Sequence, residues 1–216
     1  GEADQAPKID DEISRRLIQI SEGRVSGFHP TGGRVRYIEH VTGHVFEADP
    51  DGQNETRISN TTIQGIFEAI WAFDQASAII KYRDGESAKI ASVKFAGTST
   101  EGVLLPSSVR SIDLAPDRGR LVYIAGINGA LAVIGADINN TKQTEVLRLP
   151  QADFEISWPT PKLFSFITRP SGEAGGYLFS YDLGSGVFSK LAGPEPGLEA
   201  LWSPSGKSAI LFAVDT

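Results

Sequence analysis

Short apolar segments that alternate with polar residues recur along almost the whole chain. In the segment 34–40, Val35 and Tyr37 alternate with Arg34 and Arg36, which is the period-two pattern of a strand with one buried face. Glycine, proline, asparagine and aspartate cluster between these segments and favour tight turns. Because little of the chain shows the periodicity of an amphipathic helix, the pattern predicts an all-β protein.

Bulky residues recur in these strands at a nearly constant interval, and we call this set the anchor column. Its members lie 43, 43, 44 and 44 residues apart and include every tryptophan of the chain: Phe28, Trp71, Leu114, Trp158 and Trp202. Each repeat carries four short strand segments, and repeats of about 40–45 residues with four strands are typical of β-propeller blades. The sequence therefore predicts a β-propeller with four-stranded antiparallel blades, in which each anchor fills the wedge between neighbouring blades.

The repeats place the propeller at residues 14–216, after a polar leader at 1–13 that we expect to be flexible. Four repeats are complete and a fifth is partial. The blades are predicted at about 22–60, 63–106, 110–150 and 154–193, with the partial fifth at 198–214. Residues 15–21 (RRLIQIS) match the fourth-strand position of a blade, so 14–21 is predicted as a spare outer strand. Asp49, Asp137 and Asp182 recur where third strands end and favour Asx-type turns.

The predicted strands do not complete the fifth blade. A blade built from both ends of the chain would have its first, second and fourth strands but no third. Either the chain is the N-terminal portion of a longer propeller, or the fifth blade closes with three strands. We favour the first interpretation, because an exposed blade edge invites unwanted strand pairing. Missing C-terminal sequence or a second chain would then cover the edge after Val214.

Two strand–turn–strand segments carry a motif with a known counterpart. Residues 202–212 (WSPSGKSAILF) and 114–124 (LAPDRGRLVYI) resemble the W-S-P-D-G-K motif of TolB-like propellers, whereas the second and fourth repeats depart from it. The stretch from Ile18 to Phe212 also resembles predicted cell-surface propeller proteins of small uncultured bacteria. That resemblance implies a bacterial, extracytoplasmic protein, periplasmic or at the cell surface, whose N-terminal membrane anchor has been removed. It implies no particular activity, since the motif is a structural turn.

Composition narrows the range of partners. The chain has 20 Lys+Arg against 27 Asp+Glu, a net charge of −7, and an acidic protein repels phosphate backbones. We therefore expect no nucleic-acid partner. No apolar run approaches the roughly 20 residues that a membrane-spanning helix needs, so we expect no membrane span in this chain. The absence of cysteine excludes a disulfide, a thiol nucleophile and a cysteine-based metal site.

Two segments have the residue types of a metal site. His40 and His44 flank a three-residue turn beside Glu39 and could bind a metal, although hairpin histidines commonly face solvent. The run 49–54 (DPDGQN) looks like a calcium loop, but it lacks the terminal glutamate of an EF-hand and also fits an ordinary turn. We expect His29 to be structural. The sequence therefore assigns no metal ligand.

Catalytic patterns are equally weak. The chain has no G-x-S-x-G motif, and its glycine-rich stretches at 171–176 and 184–186 lie in predicted hairpin turns with no following helix to hold a phosphate. Carboxylates from several blades could still converge on the central channel, as in propeller glycosidases, and sequence spacing does not test this. We assign no catalytic residue, no cofactor-binding residue and no cofactor.

The leading hypothesis is a non-catalytic, extracytoplasmic propeller that binds or scaffolds a protein or peptide partner. We expect the partner at the axial face, where the loops 96–101 and 169–175 are predicted to gather. One alternative is a hydrolase or lyase with carboxylates that line the central channel. The other is the gating propeller of a larger peptidase.

Overall fold

The computed structural model describes residues 18–96, 99–117, 119–169, 175–203 and 205–213. These residues form eighteen strands and no helix. Blade one contains β1 (Val25–Thr31), β2 (Arg34–Glu39), β3 (Val45–Ala48) and β4 (Thr56–Arg57). Blade two contains β5 (Ile66–Trp71), β6 (Ser77–Asp84), β7 (Ser87–Ala96) and β8 (Ser99–Leu104).

Blade three contains β9 (Val109–Leu114), β10 (Arg120–Ile127), β11 (Ala130–Asp137) and β12 (Thr144–Leu149). Blade four contains β13 (Phe154–Thr160), β14 (Leu163–Thr168), β15 (Gly176–Asp182) and β16 (Phe188–Glu195). The fifth sheet contains only β17 (Glu199–Trp202) and β18 (Ala209–Phe212). All neighbouring strands are antiparallel and follow chain order, so the predicted all-β propeller with four complete blades and a partial fifth is confirmed.

Turn residues set the register of the hairpins. Asn128 and Gly129 join β10 to β11 with φ values of 50° and 78°, and Ile127 pairs directly with Ala130. Positive φ at both turn residues is the requirement of a two-residue type I′ turn, which explains the Asn-Gly sequence. Of the three predicted Asx-type turns, the one at Asp182 is present, since its carboxylate accepts the Gly184 N–H at 3.0 Å, whereas the Asp137 carboxylate accepts the Thr141 N–H at 2.7 Å and that of Asp49 accepts the Asn54 side-chain amide.

Three apolar cores lie between successive blades. Ile38 and Val45 of blade one pack with Trp71 and Ala78 of blade two. Blades two and three share a second core, and blades three and four share a third. Because both faces of a blade pack on its neighbours, its strands need apolar residues on both faces. The central strands therefore do not alternate strictly between apolar and polar residues.

The anchor column does not have one environment. Trp71, Leu114 and Trp158 are 9%, 7% and 5% exposed, and each packs in the core shared with the preceding blade. Phe28 is 68% exposed, so the prediction that it fills a wedge is wrong. The physical reason is its position in blade one, which has no preceding blade among the described residues. Trp202 in the fifth sheet is half-buried.

The segment before blade one lies against that blade's outer strands. A Cβ on Gly52 would come within 2.6 Å of the Gln19 carbonyl oxygen, so the two backbones are in direct contact. Residues 18–21, the described part of the predicted outer strand 14–21, form no strand. Residues 14–17 lie outside the described residues.

The two loops predicted to gather at one axial face belong to opposite ends of the blades. Residues 97–98 and 170–174 lie outside the described residues, but the flanking strands are described: β7 and β8 are the third and fourth strands of their blade, whereas β14 and β15 are the second and third strands. Successive hairpins of an antiparallel sheet alternate between its two ends. The prediction of a shared loop face is therefore wrong, because it did not take strand order into account.

Candidate functional site

A row of serines crosses blade four. Ser157 of β13 pairs with Ser165 of β14, which pairs with Ser180 of β15, which pairs with Ser189 of β16. Directly paired residues share one face of a sheet. The opposite face carries Phe164 and Phe166, which pack in the core with blade three. We call these four residues the serine row, and it lies on the face of blade four that is turned away from blade three.

The equivalent positions in the other blades are apolar. In each inner strand, one residue lies directly before the anchor and pairs with a residue of the second strand. That second-strand residue is, in blades one to four in turn, Ile38, Ile79, Val122 and Ser165. The first three are completely buried in the interblade cores. Blade four alone among these four has a hydroxyl at this position. Its outward face is therefore polar where the other blades have a hydrophobic wedge.

A cavity of about 400 Å³ lies between this polar face and the fifth sheet. We call it the blade 4–5 cleft. On the blade-four side it is lined by Glu155, Ser157, Ser165 and Arg169. The opposite side is formed by the residues Gly197, Leu198, Glu199 and Ala200, which lead into and begin β17. Leu198 is buried and fixes this segment, because its Cβ packs close to Gly176 of β15.

Charged groups of two different sheets meet in this cleft. Arg169 donates to Glu155 Oε2 from Nη2 at 2.8 Å and from Nε at 3.3 Å. This hydrogen bond, together with the charge of Glu155 and those of Asp153 and Glu199, raises the pKa of Arg169. Glu155 belongs to blade four and Glu199 to the fifth sheet. Carboxylates from different sheets therefore line one cavity, although it is an interblade cleft rather than the central channel.

Ser165 is the least exposed polar group of the cleft. It is only 2% exposed, and its hydroxyl makes no hydrogen bond within the described part of the chain. Its hydroxyl oxygen is not among the buried atoms that lack a hydrogen-bond partner, so it keeps a small contact with solvent. By contrast, Ser111 of the neighbouring blade uses its hydroxyl to accept the N–H of Ile156 at 2.9 Å. Ser165 is thus a polar group whose partner is not supplied by the described residues.

Asp113 has a structural role beside this region. Its carboxylate accepts the backbone N–H of Trp158 at 2.7 Å and that of Leu114 at 2.8 Å, which ties the inner strand of blade three to that of blade four. Burial raises the pKa of Asp113, although these two hydrogen bonds and the charge of Lys81 act in the opposite direction. We therefore interpret Asp113 as a link between blades.

A second cavity, of about 570 Å³, lies on blade one beneath residues 18–23. The hydroxyl of Tyr37 donates to Glu55 there. Burial and this bond, with the charges of Glu55 and Glu39, raise the pKa of Tyr37 to about 12, although a hydrogen bond with Ser21 lowers it. Glu39 accepts the turn N–H groups of Val41 and Thr42 at 2.8 and 2.7 Å, so its carboxylate is already used by the hairpin.

The two hairpin histidines have separate partners. His40 Nδ1 lies 3.0 Å from Ser26 Oγ. His44 Nε2 lies 2.9 Å from Thr62 Oγ1 and accepts a hydrogen bond from Arg57 Nη2 at 2.9 Å. Burial and the charge of Arg57 lower the pKa of His44. Within the described residues, no three His, Cys, Asp or Glu side chains are grouped so that they could hold a metal ion.

The other sequence candidates are turns. In the run 49–54, Gly52 has a φ of 77° and its N–H donates to the Asp49 carbonyl at 2.9 Å, as in an ordinary tight turn. In the glycine-rich stretch 184–186, the Asp182 carboxylate accepts the N–H groups of Gly184 and Ser185. Most of the stretch 171–176 lies outside the described residues. No helix of the described chain is long and apolar enough to cross a membrane.

Sequence reasoning missed the cleft because it followed only the anchor column. The informative signal lies in the second strand, where the column Ile38, Ile79, Val122 and Ser165 changes from apolar to polar. The members of this column lie 41, 43 and 43 residues apart, close to the spacing of the anchors. A serine in such a column indicates a blade face that is not built for a hydrophobic wedge.

Comparison with known proteins supports the fold and little more. No protein-family model matches the sequence, and no curated protein sequence matches it significantly. Solved structures do match. TolB from Acinetobacter baumannii superimposes with a TM-score of 0.60 at 18% identity, over 83% of this chain and 46% of that one. The chain therefore spans less than half the length of that structure.

Enzyme-associated propellers match equally well. An oligogalacturonate lyase in complex with manganese gives a TM-score of 0.64 at 12% identity, over 91% of this chain and 61% of that one. The β-propeller domain of the Trilobed protease from Pyrococcus furiosus, described as having an open velcro topology, gives 0.58 at 12% identity, over 89% and 63%. At these identities the likeness shows the TolB-like propeller fold alone.

Proposed function

We propose that this protein is a non-catalytic, extracytoplasmic propeller module that binds an extended segment of a protein or peptide partner. The observation that carries the proposal is the fifth sheet. It has two strands where each of the other four sheets has four, and the outer edge of β18 is unpaired within the described residues. An unpaired strand edge can take up an additional strand, a common way to bind an extended peptide.

The free edge of β18 is formed by particular backbone groups. In an antiparallel pair, residue pairs that exchange hydrogen bonds alternate with pairs that do not. Ser203 N–H donates to Ser208 O at 2.8 Å, so the Leu201–Ile210 pair, two residues further along, is also a bonded pair. Ile210 therefore uses its backbone towards β17. Ala209 and Leu211 direct their N–H and C=O groups to the free edge.

The side chains of this sheet are apolar and exposed. Leu201, Ile210, Leu211 and Phe212 are each 46–62% exposed. Because neighbouring residues of a strand point to opposite faces, Ile210 and Leu211 offer apolar surface on both sides of the edge. A contiguous exposed apolar patch is typical of a surface that contacts another protein. A bound strand would cover this patch and pair with the free backbone groups.

The extracytoplasmic location is proposed on the resemblance to predicted cell-surface propellers and to TolB-like propellers. The same resemblance supports a bacterial origin, and the repeat spacing supports a propeller that occupies residues 14–216. Protease treatment of intact cells tests the location. We expect the protease to cleave the epitope-tagged protein while the cytoplasmic membrane is intact. If the protein is still protected from the protease when only the outer part of the envelope is permeabilised, the proposal is contradicted.

A backbone variant tests strand addition. Leu211→Pro removes one N–H of the free edge and leaves the β17–β18 hydrogen bonds intact. Leu211→Ala is the matched control, because it shortens the same side chain and keeps the N–H. Each protein is immobilised and exposed to an envelope extract, and the retained partner is identified and then purified. We expect Leu211→Pro to weaken the binding of this partner about tenfold or more relative to Leu211→Ala.

Hydrogen exchange on the purified complex provides the second measurement. The amides of Ala209 and Leu211 should gain protection, whereas the amides of Ile210 and Phe212, which face β17, should change less. If the partner is retained equally by Leu211→Pro and Leu211→Ala, strand addition at β18 is wrong. If no partner is retained by the wild-type protein, the binding function itself is wrong.

A second candidate function is a hydrolase or lyase. One observation favours it: Glu155 and Glu199 of different sheets line a single cavity. The Glu155 carboxylate accepts hydrogen bonds from Nη2 and Nε of Arg169, which fix its position in the cleft. Screening of glycoside and polyuronate substrates tests this function, with Glu199→Gln as the variant that should abolish any activity. The gating propeller of a larger peptidase remains a third proposal, supported by the fold likeness to peptidase propellers.

A further inference from the structure

The charges around the blade 4–5 cleft disfavour an anionic ligand. Arg169 is hydrogen-bonded to Glu155 and also lies within the field of Asp153 and Glu199. The Glu155 carboxylate lies in turn within the field of Asp113. A ligand carboxylate or phosphate that approached Arg169 would therefore meet several carboxylates, and its repulsion from them would offset the attraction to one guanidinium.

Three groups of the cleft can accept a hydrogen bond and make none within the described residues. They are the carboxylate of Glu199 and the hydroxyls of Ser157 and Ser165. Ser165 is almost fully buried, so its hydroxyl has little access to water other than through the cleft. A ligand that donates hydrogen bonds would replace water at Glu199, which is exposed, and at Ser157, which is half-buried, and would give Ser165 a partner.

We infer that the blade 4–5 cleft binds a primary ammonium group, carried either by a lysine side chain or by the free N-terminus of a peptide. An ammonium group has three donors and no acceptor. Glu199, Ser157 and Ser165 supply a negative charge and three acceptor groups on two walls of the cavity. The cleft volume of about 400 Å³ lies within the ordinary range for a site that encloses a small ligand.

Recognition of an ammonium group would add specificity to the proposed peptide binding. Only the assignment of that group to a peptide rests on the proposed function. Ala200 of the cleft wall pairs directly with Leu211 at the free edge of β18. A strand added to β18 would therefore pass one strand away from the cleft. Recognition of the ammonium group itself requires no strand pairing, so the two proposals can be tested separately.

Calorimetric titration at low salt with three small probes tests the inference. Nα-acetyl-lysine methylamide carries only the side-chain ammonium, and glycylglycine methylamide carries only the N-terminal one. Nα-acetyl-norleucine methylamide is the neutral counterpart of the lysine probe. We expect one ammonium probe to bind at least about tenfold more tightly than the neutral probe, since charged hydrogen bonds contribute that much, and added salt to weaken it. The probe that binds identifies the source of the ammonium group.

Matched variants locate the site. Glu199→Gln should weaken binding of the ammonium probe about tenfold and Ser165→Ala several-fold. Glu86→Gln, in the exposed β6–β7 turn, and Ser189→Ala, at the outer end of the serine row, should leave binding unchanged. Leu211→Pro should also leave it unchanged, so failure of strand addition and failure of this site are distinguishable.

Three results would overturn the inference. The first is that neither ammonium probe binds to the wild-type protein. The second is that the norleucine probe binds as tightly as the lysine probe, which would show an apolar rather than an ionic preference. The third is that Glu199→Gln binds the ammonium probe as the wild-type protein does, with a far-ultraviolet circular dichroism spectrum that shows intact folding of the variant.

Discussion

Ser165 holds in blade four the position that Val122 holds in blade three. Val122 pairs with Asp113, and Ser165 pairs with Ser157, in each case directly before the anchor of the inner strand. Val122 is completely buried in the core between blades three and four, whereas Ser165 faces the cleft beside the fifth sheet. The same backbone position therefore builds a hydrophobic wedge in one blade and one wall of a polar cavity in the next.

Reciprocal substitutions test this difference. Val122→Ser should lower the free energy of unfolding by about 2–4 kcal/mol, because it removes buried methyl groups and buries a hydroxyl in an apolar core. Ser165→Val should change it by less than about 1 kcal/mol, since the lost hydroxyl has no partner in the described structure. Urea unfolding measures both. Ser189→Val serves as the surface control, and a loss above about 2 kcal/mol for Ser165→Val would contradict the assignment.

The sequence predicted the blades well because packing between blades repeats with the chain. Glycine-containing turns and bulky anchors recur along the chain, so their spacing is visible without a structure. The environment of a particular anchor depends on which neighbour is present. Phe28 has the spacing of Trp71 but not its burial, because blade one has no preceding blade among the described residues.

The candidate site was harder to predict, for a related reason. Glu155 and Glu199 are 44 residues apart and come together only through the packing of one sheet against another. Alternation within a strand shows that a face is polar or apolar, but not which element covers it. The histidines of the β2–β3 hairpin illustrate the opposite error, since closeness in sequence suggested a shared site while His40 and His44 bond to separate partners.

A matched pair within the anchor column tests the dependence on a neighbour. Leu114→Ala should lower the free energy of unfolding by about 2–5 kcal/mol, because it leaves a cavity between blades two and three. Phe28→Ala removes a larger side chain, yet it should cost less than about 1 kcal/mol, since that side chain is mostly exposed. Urea unfolding of both variants decides. Equal losses would show that Phe28 is covered in solution.

Tyr37 should titrate late. Its pKa of about 12 lies above the ordinary value of 10.0, so the folded protein keeps this phenol protonated where the unfolded chain begins to lose the proton. The contribution of Tyr37 to stability is therefore full below pH 10 and is lost as the pH rises towards 12. Ultraviolet difference titration of phenolate absorbance should show late-titrating tyrosines, because burial raises the pKa of Tyr123 as well, and the late amplitude should decrease by one tyrosine in Tyr37→Phe. Tyr123→Phe, on another blade, should leave the late step of Tyr37 in place.

Asp113 should make the stability of the protein depend on pH in the opposite direction to a carboxylate whose pKa is lowered on folding. Because burial raises its pKa above the ordinary value of 3.8, the folded protein binds this proton more tightly than the unfolded chain does. Its contribution to stability is therefore full below that ordinary value and is lost as the pH rises through the raised pKa.

Asp113→Asn cannot titrate, so the difference in free energy of unfolding between wild type and variant should shift in favour of the variant across that pH range. Urea unfolding at a series of pH values measures this difference. A wild-type advantage that grows with pH would instead show that hydrogen bonds from Trp158 and Leu114 outweigh burial at Asp113.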